Sequence, residues 1–290
     1  MRKAGREDEL LFVSDIARDT VGDAVGNAVG DALGNAVGDT LGYREKISVA
    51  IVAVEKADKL IDLVACVVPQ LRETDEVIIV VDPPVPGIPS DMTFEVAWQI
   101  AQQLPIVRVL VNERPGRNAG YELAIKACEG DVVFLAEPGD LWYANKVTRV
   151  METFAASSAA LVLHDAQLYT PGLDGKDFAL LYAVFGAASM TAEQIRDSFV
   201  GSCMAFKVAL RQFFLPYPRD AMLYDQWMGL VAEKYGGVAL ATDPLITKEV
   251  SNGTDTLSSM LVIRERHAEQ RRLMKALKKR QRELDGLLRK

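Results

Sequence analysis

The stretch that decides the fold runs from Arg114 to Trp142, RPGRNAGYELAIKACEGDVVFLAEPGDLW. It sets a loop, a helix, a buried strand and an acidic turn in one segment. Asn118 is placed to cap the helix, since its side chain can accept from the free N–H groups of the first turn. Leu123, Ala124, Ala127 and Cys128 recur behind it at helical spacing. Val132, Val133, Phe134 and Leu135 then form an unbroken apolar run, as expected of a strand covered on both faces of a parallel sheet. Open α/β sheets bind ligands outside the carboxyl ends of their strands. Glu137 and Asp140 therefore stand at the mouth of a crevice, with Trp142 beside them.

Outward from that stretch the same alternation repeats. KISVAIVAV (46–54) reads as a strand, and a helical pattern through Leu60, Leu63, Val64 and Val67 is closed by Pro69. DEVIIVVD (75–82) is a second buried strand. A proline-rich loop follows, then a helix over about Asp91 to Leu104 with Asp91 as its cap, and a third strand in PIVRVLVNE (105–113). This alternation predicts an α/β fold: a mostly parallel sheet with helices on both faces. Beyond Trp142 come a helix carrying Val147, Val150, Met151 and Phe154, and a strand in AALVLHDAQLY (159–169). Residues 170–198 read as a loop with a short helix. FVGSCMAF (199–206), a proline-bounded loop, a helix in DQWMGLVAEKYG (225–236), a strand in GVALATDP (237–244) and a turn in LITKEVSNGTD (245–255) complete this part.

Composition bounds the function. The chain has 290 residues, 49% hydrophobic and 25% charged, as in ordinary globular proteins. It contains no apolar run of about 18 residues, and its first residues lack a secretory signal, so a cytoplasmic location is expected. Cys66, Cys128 and Cys203 are far apart with no CxxC pair, which points to buried reduced thiols, and His164 and His267 cannot build a zinc cluster. A net charge of −7 argues against nucleic acid as a partner.

Two extensions stand apart. Residues 21–42, VGDAVGNAVGDALGNAVGDTLG, repeat glycine every fourth position. Such columns let helix backbones approach closely, so the segment is either a self-association or docking helix, or a flexible leader. From Ser258 to Lys290, eleven Lys or Arg face four Asp or Glu, while Met260, Leu261, Leu273, Met274, Leu277, Leu284, Leu287 and Leu288 fall near one helical face. An oligomerising coil, a peripheral helix on an anionic membrane and a helix folded back on the domain all fit that pattern. Both extensions are satisfied most simply by a homo-oligomer. The expected organisation is an extension over 1–45, a domain over 46–256 and a basic amphipathic helix over 257–290.

Taken in order, six pieces resemble a GT-A (Rossmann-like) glycosyltransferase of the large family 2 type, most like its rhamnosyltransferase-like branch. They are ISVAIVAV (47–54), the second strand ending at Asp82, the RNAG loop (117–120), GDVVFLA with EPGDLW (130–142), GSCMAFK (201–207) and YDQWMGLVAEKYGGVALATDPLI (224–246). The resemblance covers about Ile47 to Thr254. It implies an inverting transfer of a sugar from a nucleotide-sugar donor to a hydroxyl acceptor, which is a saccharide, a lipid-linked group or a protein. It further implies that Asp82 contacts the nucleotide and that Arg117 and Asn118 meet the nucleotide or sugar. The family's Asp-x-Asp-Asp is represented by Glu137, Gly139 and Asp140, so one aspartate is lengthened and a second is lost. By resemblance, Glu137 and Asp140 hold a divalent cation, Mn2+ or Mg2+, on the donor diphosphate, or Arg114 and Arg117 take its place. Lys248 and Val250 stand where the family carries Arg and His, with Lys248 able to meet a phosphate as a point charge. Asp225, in the Asp-x-Trp ending at Trp227, matches the general base. Each acid has a structural alternative: Asp82 as a turn former, Asp140 as a helix cap and Asp225 as a charge on a helix N-terminus. The alternative function is a catalytically degenerate GT-A fold that binds a nucleotide or partner and oligomerises.

Overall fold

The computed structural model describes residues 43–54, 56–83, 91–169, 179–180, 199–218, 223–249 and 263–287. The glycine repeat at 21–42 lies outside the described residues, as does the helix expected within 170–198.

Every residue of β1 (Ile47–Ala53) is buried, because it has a strand on either side and helices over both faces. It runs parallel to β2 (Glu76–Val81) and to β4 (Val132–Ala136), with Ala50 opposite Ile78 on one side and Leu135 on the other. β3 (Val107–Val111) adds in parallel beyond β2. The connections are α1 (Ala57–Val67), α2 (Thr93–Gln103) and α3 (Arg117–Ala127). Right-handed crossovers run outward from β1 to β3 and then back to β4, so α1 and α2 cover one face and α3 the other. The direction reverses between β1 and β4, and in open α/β sheets ligands bind at such a switch point, outside the carboxyl ends of the strands.

The second half of the sheet obeys other rules. Beyond β4 the order is β8 (Met204–Lys207), β6 (Leu161–Tyr169), β9 (Val238–Glu249) and β5 (Asp140–Trp142), with β7 (Ala179–Leu180) paired to β6. The pairs β4–β8, β8–β6 and β9–β5 are antiparallel, and β6–β9 is parallel. The turn expected at 245–255 begins too early. Pro244 does not end the strand, because it falls where the register of β6 shifts at Asp165 and no regular ladder hydrogen bond is required. The chain continues as strand through Glu249, held by β6 on one edge and β5 on the other.

The helices of this half are α4 (Lys146–Ala155), α5 (Arg211–Phe214), α6 (Tyr224–Tyr235) and α7 (Ile263–Leu287). Trp227 of α6 is fully buried and its indole donates to the Phe214 carbonyl at 2.8 Å, and Trp142 is buried as well, so both tryptophans are core. The basic helix α7 lies against α6 with Leu273 and Leu277 buried. Arg280 donates to the carbonyls of Phe213 and Leu215 at 3.0 and 2.9 Å. The described part of the tail thus folds back on the domain. No described helix is long and apolar enough to cross a membrane.

Candidate active site

The acidic turn leaves β4 at Glu137 and closes on itself. The Asp140 N–H donates to the Glu137 carbonyl at 3.0 Å, and the Glu137 N–H donates to Asp140 Oδ2 at 3.1 Å. Asp140 opens β5, directly opposite Lys248 on β9. That register carries the Lys248 ammonium between the two acids. Its Nζ donates to Asp140 Oδ1 at 2.9 Å, to Glu137 Oε2 at 3.3 Å and to Ser202 Oγ at 3.2 Å. An ammonium has three hydrogens, and here each has an acceptor. The other oxygen of Glu137, Oε1, accepts from the Tyr224 hydroxyl at 2.9 Å and faces Arg117 Nη1 at 3.5 Å.

Burial alone would push the Glu137 carboxyl up, but the charges of Lys248 and Arg117 and the Tyr224 hydroxyl outweigh it and hold the group well below the carboxylate range. Burial likewise pulls Lys248 down, and Asp140 with Glu137 more than reverses this, so the ammonium is held above the usual lysine range. The contacts pair the cluster internally, with Lys248 between the two acids and Arg117 beside Glu137.

Tyr224 connects this cluster to Asp225. Its ring stacks on Tyr121 with centroids 4.3 Å apart, and the Tyr121 hydroxyl donates to the Ala136 carbonyl at 2.8 Å. Gly201 makes the approach of Tyr224 feasible, since a Cβ there would lie 1.9 Å from the tyrosine oxygen. Asp225 sits in the first turn of α6, half-buried, and its Oδ1 accepts the Gln226 N–H at 2.8 Å. Burial raises its carboxyl to about 6; the Gln226 N–H pulls it down, and the Glu137 charge pushes it further up. A carboxyl near neutrality beside a charged cluster has the properties of a general base.

Just past the end of β2, Asp82 spends both oxygens on the protein. Oδ1 accepts from Asn112 Nδ2 at 2.8 Å and Oδ2 from the Gly116 N–H at 3.0 Å. Gly116, at φ 116°, is the residue ahead of α3, so the helix starts at Arg117. Glycine alone adopts that conformation without strain, which brings the chain into the helix one residue before the cap expected at Asn118. Asn118 lies half-buried in the first turn instead.

A model of the family described as "Glycosyl transferase family 2" matches residues 48–212, more than half of the chain. The chain belongs to glycosyl transferase family 2. An uncharacterized glycosyltransferase of Nostoc sp. is 26% identical over 133 residues, covering 46% of this chain and 38% of that protein. Among solved structures, S. aureus TarS 1–349 in complex with UDP-GlcNAc aligns with a TM-score of 0.53 at 15% identity, over 74% of this chain and 61% of that one. Glucosyl-3-phosphoglycerate synthase from Mycobacterium tuberculosis, in complex with Mn2+, UDP and phosphoglyceric acid, aligns at 0.50 and 16% identity over 87% and 82%. At such identities the likeness shows the fold. The chain spans less than two thirds of the length of the Nostoc protein and of the TarS structures.

Within this family 2 fold, Arg117, Glu137, Asp140 and Lys248 come together, and Asp225 adjoins them through Tyr224. Asp82 is one step removed, since it braces the loop that carries Arg117. Arg114 is paired with Glu122 at 3.5 Å. Asp140 is not a helix cap but a buried strand residue. The cation implied on Glu137 and Asp140 does not fit the donor set, because the Lys248 ammonium already lies between those acids. No group of three or more His, Cys, Asp or Glu suited to a metal occurs among the described residues. Sequence reasoning missed Tyr224, Ser202 and Lys146. Tyr224 directly precedes Asp225, and Ser202 lies inside the GSC segment, so both were adjacent to singled-out residues. Lys146 had no such signal: it is fully buried, donates to the Ser202 carbonyl at 3.0 Å and lies 3.9 Å over the Trp142 ring. Burial pulls its ammonium down to about 7.

Proposed function

We propose that this chain is an inverting glycosyltransferase that moves a sugar from a nucleotide-sugar donor to a hydroxyl acceptor, with Asp225 as the general base. The observation that carries the reading is the Asp225 carboxyl, raised to about 6 and set beside the ionised Arg117–Glu137–Lys248 cluster at the switch-point crevice. The nucleoside diphosphate of the donor lies at the carboxyl edge of β4, where Arg117 offers guanidinium N–H groups to its phosphates. Asp225 accepts the proton of the acceptor hydroxyl as that oxygen bonds to the anomeric carbon. The bond from that carbon to the diphosphate oxygen breaks in the same step, the nucleoside diphosphate leaves, and the anomeric configuration inverts. Donors bound by structural neighbours, UDP-GlcNAc for TarS and GDP-Man for a mannosyltransferase of Pyrobaculum calidifontis at a TM-score of 0.50, support the donor class. Asn118 lines the donor side of the same crevice, and Asp82 acts there through the loop it braces.

The test is release of nucleoside diphosphate and transfer of sugar by the purified full chain over UDP, GDP and dTDP sugars with saccharide, lipid-linked and protein acceptors. Turnover with at least one donor is expected. Tight nucleotide binding without turnover on any pair would favour the degenerate, binding-only reading.

A further inference from the structure

The four groups at the acidic turn carry an inference that rests on the donor reading above and goes beyond it. Two carboxylates holding a divalent cation form an electrically neutral site. Glu137 and Asp140 with Lys248 and Arg117 are neutral too, and all four charges belong to the chain. Every oxygen of the two acids already has a donor: Asp140 Oδ1 and Glu137 Oε2 take Lys248, Asp140 Oδ2 takes the Glu137 N–H, and Glu137 Oε1 takes Tyr224. A hard cation that needs about six oxygen ligands would have to displace a buried ammonium to reach them. The ammonium is not an incidental visitor, since the β5–β9 register sets Lys248 opposite Asp140 and Ser202 supplies its third acceptor. Arg117 differs from Lys248 in being turned outward, with 62% of its side chain exposed and one nitrogen near Glu137.

We propose that Lys248 is a built-in substitute for the divalent cation: it neutralises Glu137 and Asp140 so that a nucleoside diphosphate is held by Arg117, and the chain binds its donor and transfers sugar without metal. In this arrangement Lys248 is a positioning residue and Arg117 the phosphate contact. Removing the ammonium would leave two bare carboxylates, which repel a diphosphate and at the same time form a vacant cation site.

The experiment uses the full chain, wild type and Lys248→Ala, with thermal unfolding to confirm that the variant is folded. UDP and GDP binding is measured by calorimetry in EDTA and in Mn2+, and Mn2+ alone is titrated by loss of its free-ion paramagnetic resonance signal. For the wild type, nucleotide affinity should agree within about twofold in the two buffers, a change of less than about 0.5 kcal/mol. The protein should not deplete free Mn2+. Lys248→Ala should bind nucleotide on the order of tenfold or more weakly in EDTA, recover in Mn2+ and deplete the free-ion signal. A wild-type affinity that rises tenfold or more with Mn2+, or stoichiometric Mn2+ uptake by the wild type, would overturn the proposal without help from the variant. If neither nucleotide binds in either buffer, the donor reading falls. The Mn2+ titration then still judges the lysine: uptake only by Lys248→Ala supports it, and uptake by the wild type refutes it.

Discussion

The two halves of the sheet meet along β4 and are built from different materials. From β1 to β4 the strands are parallel, their buried side chains are almost all aliphatic, and buried polar groups such as Ser48 and Asp75 serve backbone or neighbouring side chains. The Asp75 carboxylate, for instance, accepts from the Ile47 N–H at 2.9 Å and is paired with Arg72. From β5 to β9 the strands mix directions, and the buried polar groups are linked to one another: Ser202 accepts from Lys146 at its carbonyl and from Lys248 at its hydroxyl, and Lys248 also pairs with Asp140. The first half gains stability from apolar area removed from water. The second half spends part of it on charges that must be paired to be tolerated. The parallel βαβ half thus brings Arg117 and Glu137 to the edge, and the mixed strands bring Asp140 and Lys248 to meet them.

That contrast breaks if charges in the second half prove dispensable to the fold. Lys248→Ala should cost about 3–5 kcal/mol at neutral pH, because removing one partner leaves buried carboxylates uncompensated. Denaturant unfolding checks this, and a cost under about 1 kcal/mol would show the cluster to be solvated. The sign of the pH dependence follows from Glu137, whose carboxyl is depressed by burial-opposing contacts with Lys248 and Arg117. Its contribution is present above the ordinary carboxylate range and is lost as pH falls through the depressed value. A smaller effect sharpens the other side of the comparison. Ile79→Val in β2, where the side chain is fully buried and the residue pairs with Ile51 and Val109 of the flanking strands, should cost about 0.5–1.5 kcal/mol and leave the pH profile of activity unchanged. A shifted profile would mean that the scaffold tunes the site.

The same division explains what could be read from the sequence. Apolar runs such as ISVAIVA and VVFLA fix strands and their order, because a strand covered on both faces has only one kind of side chain to offer. Asp225, Glu137, Asp140 and Arg117 could be singled out from the sequence because they stand on loops and element ends, and the structure brings them near one another. Their partnership with Lys248 was not legible there, since it depends on a strand that passes Pro244 and on a register across 108 positions of sequence. Asn118 was misplaced as a cap because the conformation of Gly116 depends on Asp82, a contact 34 residues away. Lys146 was invisible because a lysine inside a helix reads as solvated until the fold buries it.

Asp225 separates function from stability most directly. Its carboxyl is raised from 3.8 to about 6 by burial, so its stabilising contribution is present at low pH and is lost as pH rises through 6. The ionised carboxylate is a burden on the fold at neutral pH, a cost that the proposed role as general base would account for. The decisive measurement is kcat/KM against pH, with unfolding midpoints, for the wild type and Asp225→Asn. The wild type should rise through a pH of about 6, and the variant should lose that rise and fall on the order of 10²–10⁴-fold at neutral pH. Its unfolding midpoint should be unchanged or higher. A variant that transfers sugar at the wild-type rate with the same pH profile would contradict the assignment of Asp225 as the base.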